Sequence, residues 1–175
     1  MLPRLPLEDS ALDLLRACHT KMRLFTTALE RIVESYAKNP ADLQIPDAAR
    51  ITARYFREAL PKHAEDEDLS ITPRLLAVYP ELAPGLANGA REHAVVEGEL
   101  PQLTAALDKL AACERLTVEE FSSFSARVDR VVLLLRTHAL TEETTWFTPF
   151  GQLPAEDQRA VRLEMAERRA RPGAP

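Results

Sequence analysis

The stretch His63-Ala64-Glu65-Asp66-Glu67 recurs in kind as His138-Ala139-Leu140-Thr141-Glu142, and the reading of that pair decides the fold. Each is a histidine followed four residues later by a glutamate. A single histidine precedes each motif at nearly the same interval: His19 stands 44 residues before His63, and His93 stands 45 before His138. The chain has 4 histidines in all, and every one is in this register. On a helix, residues i and i+4 lie about 40° apart on one face, one turn up. Each motif therefore projects an imidazole and a carboxylate into the same space.

The sequence around the motifs is helical in pattern. A first amphipathic stretch, about residues 8–38, opens on Asp9 or Ser10. It carries Leu12, Leu15, His19, Met22, Thr26, Leu29, Val33 and Tyr36 on one stripe, in alternating steps of three and four. A second, about 46–71, carries Thr52, Phe56, His63 and Glu67, with Pro61 predicting a bend just before His63. A third, about 84–113, carries Leu86, Ala90, His93, Glu97, Leu100, Thr104, Leu107 and Ala111, with another bend expected at Pro101. The fourth opens on Thr117-Val118-Glu119-Glu120, a capping box. It carries Phe121, Phe124, Val128, Val131, Leu135, His138 and Glu142, and Pro149 and Gly151 are expected to end it. A shorter fifth helix, about 154–169, could lay Val161 and Met165 across one end. Short links after helices one and three predict antiparallel neighbours. The expectation is all-α: an up-down-up-down four-helix bundle with a short C-terminal fifth helix. It forms one domain over residues 1–175, with the bundle at about 8–150.

Composition narrows the class. A chain of 175 residues with net charge −5 and 28% charged residues is ordinary for a globular domain. Charges of both signs are interspersed, so nothing presents the basic stripe that nucleic acid requires. Arg168, Arg169 and Arg171 form one basic cluster, read as favourable charge at a helix C-terminus. No apolar run approaches the roughly 20 residues of a membrane span. The start, Met1-Leu2-Pro3-Arg4, lacks a signal-peptide pattern. Two cysteines, Cys18 and Cys113, are too few for a disulfide framework. Together these predict a cytoplasmic protein with reduced thiols.

The seams hold a charge problem. A lone histidine on an apolar stripe is ordinarily a core residue with a satisfied ring N–H. Four of them, two with a glutamate one turn on, bury carboxylates at a cost of several kcal/mol each unless a cation compensates. No Lys or Arg occupies those stripe positions near the motifs. A metal supplies the missing charge. Four imidazoles and two carboxylates exceed the four ligands of one zinc. They suit two ions bridged by the carboxylates, with iron, zinc and manganese all compatible. The ferritin-like alternative needs Glu-x-x-His pairs, and no Glu lies three residues before any of these histidines.

His19, His63-x-x-x-Glu67, His93 and His138-x-x-x-Glu142, in this order and at this spacing, resemble the hemerythrin-like family of HHE cation-binding domains over about residues 8–150. The resemblance implies a non-haem, carboxylate-bridged pair of irons. His19 and His63 would hold one, His93 and His138 the other, with Glu67 and Glu142 bridging. It also implies binding of, or reaction with, dioxygen, nitric oxide or peroxide in oxidative or nitrosative stress, with an external electron donor. Two further readings are an iron or oxygen sensor acting through metal-dependent folding or partner binding, and a di-zinc or di-manganese hydrolase. The oxygen-carrying members have a fifth histidine one turn after the histidine of the third helix. Here that position is Glu97, a further candidate ligand. Their last bridging ligand is an Asp five residues after its histidine, whereas Glu142 comes four after His138. Cys18, pointing away from His19, and Trp146, one turn past Glu142, read as packing residues. Glu65 and Asp68 read as solvent-facing.

Overall fold

A computed structural model describes residues 10–171, and among these every regular element is helical. The elements are α1 (Ala11–Lys38), α2 (Ile45–Glu58), α3 (Leu60–Glu65), a π-helical segment (Asp66–Ile71), α4 (Thr72–Val78), a short 3-10 turn (Pro80–Leu82), α5 (Ala83–Ala111), α6 (Val118–Thr145), α7 (Phe147–Gly151) and α8 (Ala155–Ala170).

The long helices start where their caps dictate. Of the two candidates for α1, Ser10 is the cap: its Oγ accepts from Asp13 N–H while Asp13 accepts from Ser10 N–H. Asp9 and the expected start at Glu8 lie outside the described residues. Thr117 and Glu120 form the same reciprocal pair at the head of α6. Each arrangement satisfies two backbone donors that the first turn would otherwise leave open.

The second expected helix is not one bent rod. It divides into α2, α3 and the π segment, and α4 follows beyond its expected end. Pro61 and Pro73 have no N–H to give, so neither can bond the carbonyl four residues back. Around Glu67 the ladder lengthens, and Thr72 N–H reaches Glu67 C=O, five residues back. That wider turn buries the adjacent residues Asp66 and Glu67 together. Pro101, by contrast, sits inside an unbroken α5. The α5 seam also differs from expectation. Leu86, Thr104 and Leu107 of the stripe read from the sequence are buried, and so are Val96, Leu103 and Leu110, each one position before a member of it, while Glu97 is exposed. The helix packs against both α2 and α6, so its buried face straddles two partners. α6 ends at Thr145 rather than running to Pro149, and α7 follows as a separate turn.

α1 packs on α2 and α6, and α5 packs on the same two. Contacts of α6 with α1 and with α5 run in opposite order along the paired helices. Arg23 meets Glu143, Glu30 meets Arg136 and Tyr36 meets Leu116 between α1 and α6 and its leading loop. Glu99 meets Arg130 and Lys109 meets Glu120 between α5 and α6. Two apolar clusters fill the interior. The larger includes Met22, Leu29, Phe56, Leu107 and Val128; at about 1.5–3 kcal/mol for each large side chain buried, it is the main source of stability. The smaller joins Leu15, Ile71, Phe150, Val161 and Met165. Val161 and Met165 thus bring α8 onto the bundle end, as their spacing indicated.

Candidate metal centre

The four histidines and two motif glutamates meet between the two apolar clusters. His19, His63, Glu67 and Glu142 converge as one group; Glu67, His93, His138 and Glu142 converge as a second. Both carboxylates belong to both groups. Their oxygens divide accordingly. Glu67 Oε1 faces His63 Nε2 (3.3 Å) and His19 Nε2 (3.8 Å), while its Oε2 faces His93 Nε2 (3.0 Å) and His138 Nε2 (3.5 Å). Glu142 Oε2 lies 3.1 Å from His19 Nε2 and its Oε1 2.9 Å from His138 Nε2. A carboxylate that offers one oxygen to each of two imidazole pairs has the geometry of a bridge.

The site is dry. His19 is 0% exposed, His63 3% and Glu142 3%. Phe147, at the start of α7, stacks on the His19 ring with centroids 5.1 Å apart. Several buried atoms here make no contact of hydrogen-bond geometry: His19 Nε2, both nitrogens of His63, both oxygens of Glu67 and Glu142 Oε2. Buried polar atoms are rarely left so, and five of these six, with a single nitrogen of His63, fit a cation. Imidazole with carboxylate is a donor set for a borderline divalent metal.

Outside this ring stands a second one that sequence reading did not find. His19 Nδ1 faces Glu143 Oε1 at 2.9 Å, and Glu143 is itself held by Arg23 at 2.6 Å. His93 Nδ1 lies 3.1 Å from both oxygens of Asp68. His138 Nδ1 lies 2.8 Å from Glu92 Oε2. A carboxylate on Nδ1 keeps the ring hydrogen there and turns the Nε2 lone pair inward, which is how ligating histidines are oriented. The signal was in the repeat. Asp68 follows Glu67 as Glu143 follows Glu142, and each reaches the lone histidine of a neighbouring helix. Asp68 is therefore not the solvent-facing residue expected. Glu92 had no comparable signal, since it becomes relevant only once α5 and α6 are packed.

Proton affinities follow from this geometry. Burial by itself would depress the His19, His93 and His138 imidazoles, but the carboxylates around them raise His19 and His93 to about 9 and His138 to about 11. His63 is lowered to about 4, chiefly by burial. Burial would raise Glu67, yet the ring of imidazoles holds it well below the usual carboxylate range. Burial and the Glu67 charge push Glu142 up. Without a metal, protons balance the carboxylates; a metal would displace them.

The other candidates fall outside the cluster. Glu97 is exposed on α5 and stands in neither convergent group. The buried carboxylate of that turn is Glu99, paired with Arg127 and Arg130. Trp146 is a core residue of the smaller apolar cluster. Arg168 and Arg169 do more than complement a helix end. They reach from α8 to the fully buried Asp66, each at 2.7 Å, and so pair the carboxylate next to Glu67.

The sequence profile of the hemerythrin HHE cation-binding domain matches residues 10–150. The chain belongs to that family. It is also similar to an uncharacterized protein of Haemophilus influenzae, 23% identical over 112 residues. That match covers 64% of this chain and 65% of the relative's length. The hemerythrin-like chain thus has a metal-binding helical scaffold with His and Glu groups able to hold ions. Among its described residues no helix is long and apolar enough to cross a membrane.

Proposed function

We propose that this chain is a cytoplasmic non-haem di-iron protein that binds or reacts with dioxygen, nitric oxide or peroxide in oxidative or nitrosative stress. The observation that carries the reading is the division of the Glu67 and Glu142 oxygens between two imidazole pairs. In this reading residues 10–150 form an up-down-up-down bundle with α8 across one end, and it is a single metal domain. His19 and His63 hold one iron, His93 and His138 the other, and Glu67 and Glu142 bridge them. Iron in such a pair supplies electrons and a coordination position for a small ligand. The rest is the work of the chain. Glu143, Asp68 and Glu92 keep Nδ1 protonated and aim three imidazoles. Phe147 excludes water from the His19 side.

Access supports a small ligand. A cleft of about 260 Å³ is bounded by His63, His93 and His138 together with apolar residues such as Leu60, Val96 and Leu100. It admits a diatomic or a peroxide to the imidazoles. Glu97 borders this cleft, where it can influence entry without ligating. Electrons would come from an external donor protein. Metal content by mass spectrometry, with absorption spectra of the anaerobic ferrous protein before and after dioxygen or nitric oxide, tests the reading. Two irons per chain and a spectral change are expected. Zinc or manganese instead of iron would favour a hydrolase, and an iron protein that responds to neither gas would sink the ligand reaction.

A sensor is the second reading, favoured by the ties between Asp66 and α8. Metal on Glu67 would then stiffen the segment to which α8 is anchored. Equal protease resistance with and without metal would exclude it.

A further inference from the structure

Three of the four histidines have a carboxylate on Nδ1, and His63 has none. Its ring is 3% exposed and neither nitrogen has a partner of hydrogen-bond geometry. The internal repeat says where the missing acceptor would stand. Glu92, which faces His138 Nδ1, is the residue before His93. The residue before His19 is Cys18. A thiol is a weak acceptor, and Cys18 Sγ already lies 3.2 Å from the Arg169 guanidinium.

In place of a carboxylate this half of the molecule has a cavity. It measures about 240 Å³ and is lined by Cys18, Tyr55 and His63 with the cations Lys21, Lys62 and Arg169. Glu58 is the one acidic residue on its wall. Lys62 Nζ donates to Arg171 C=O at 3.0 Å, which leaves two of its three hydrogens for another acceptor. A buried N–H without an acceptor is destabilising; Asp66 balances Arg169, and Lys21 and Lys62 against Glu58 still leave the wall net basic, which favours a negative acceptor over water.

We infer that this cavity binds a small carboxylate-type anion, of formate or acetate size, which accepts the His63 Nδ1–H and is held by Lys62 and Arg169. The anion takes the place that Glu92 fills for His138, so one ligating imidazole is oriented by an exchangeable group. The inference rests on the two-metal reading in one respect: a metal on His63 Nε2 is what places the ring hydrogen on Nδ1.

The test is calorimetric titration of the full-length protein, as purified, with formate and with acetate at constant ionic strength. One saturable site per chain is expected. Cys18→Glu, which builds in the internal carboxylate, should weaken formate binding by about tenfold or more, and Lys62→Ala should weaken it several-fold. Absence of saturable binding in the unaltered protein means that the cavity holds only water, and overturns the proposal. Equal binding in both variants places the anion elsewhere and also overturns it. If Cys18→Glu fails to fold, Lys62→Ala alone decides, because that side chain lies outside the ligand set. Metal content measured on the same samples reports separately on the two-metal reading. If the chain takes up no metal when reconstituted, the two-metal reading fails; formate binding by that chain, with the same dependence on both variants, shows that the anion site stands without a metal to fix the His63 hydrogen.

Discussion

The two His-x-x-x-Glu segments begin as near copies in sequence and end in different surroundings. His138 and Glu142 lie in the continuous helix α6, which stops at Thr145, and Trp146 N–H closes its last turn on Glu142 C=O. His63 and Glu67 lie across a junction of α3 with a π-helical turn, between two prolines. His138 is held by Glu92 and raised to about 11; His63 has no Nδ1 partner and is lowered to about 4. Asp66, in the first segment, is tied to α8 by two arginines, whereas Thr141, its counterpart, is exposed. Duplicated spacing thus supplies duplicated ligands. Proton affinity, access and mechanical coupling come from whatever each copy packs against. Irregular π turns are frequent at functional sites, and this one is what buries Asp66 and Glu67 side by side.

The symmetry of the centre is broken most completely by removing a shared oxygen pair. Glu67→Ala is expected to reduce bound metal from two ions per chain to nearly none, because both groups lose an oxygen; Glu142→Ala should do nearly as much. Metal analysis after extensive dialysis reads this, and retention of one full equivalent would show that the two halves bind independently.

The tie to α8 separates the halves by stability. Asp66→Ala leaves Arg168, which is nearly buried, with only the more distant and half-exposed Glu65 at 3.8 Å, and disrupting a buried pair costs about 3–5 kcal/mol. Arg169 is partly exposed and will recover part of its hydration, so the lower end of that range is expected in denaturant melts. Thr141→Ala at the equivalent position of the other motif should change stability by no more than about 0.5 kcal/mol. Similar losses at both would show that α8 has no special grip on the first motif.

The outer carboxylates sharpen the contrast further. Glu92→Gln, Asp68→Asn and Glu143→Gln should each weaken metal retention by roughly 10–100-fold, the usual effect of losing a carboxylate behind a ligating histidine. Competition with a chelator measures it.

The two motif histidines also oppose each other in pH. His19, His93 and His138 have folded-state values raised above 6.5. Their contribution to the metal-free fold is complete below about pH 6.5 and is lost as pH rises through 9 towards 11. His63 is lowered, so it acts in the other direction and destabilises the fold as pH falls from 6.5 towards 4. Metal-free protein should melt highest near neutrality, and metal should flatten the alkaline decline. Thermal melts across pH, with and without metal, check both. The smallest effect is expected at Glu97: Glu97→Gln should leave metal content unchanged, and a lost equivalent would restore it as a ligand.

Much of this molecule was legible in its spacing. His19, His63, Glu67, His93, His138 and Glu142 each sit on a periodic helical face, and helix geometry converts that periodicity into direction. The caps at Ser10 and Thr117 were legible for the same reason, being contacts three residues apart. Glu97 misled because α5 buries a face between two neighbours that is wider than one stripe, and at that turn Val96 and Glu99 face inward instead. Asp68 and Glu143 stood in the repeat beside the motif glutamates, yet an acidic residue next to a ligand reads equally well as solvent-facing until its partner histidine, 25 or 124 residues away, is in place.

Local sequence by itself determined which His and Glu residues converge, the helices that carry them and the charge they bury, because all three follow from residue type and a 3.6-residue period. Only the tertiary structure decided which oxygen faces which imidazole, which histidine lacks an outer partner and that the C-terminal arginines bind behind the first motif. Those are contacts between distant segments. Their geometry depends on how helices rotate and cross in packing, and no local period records it.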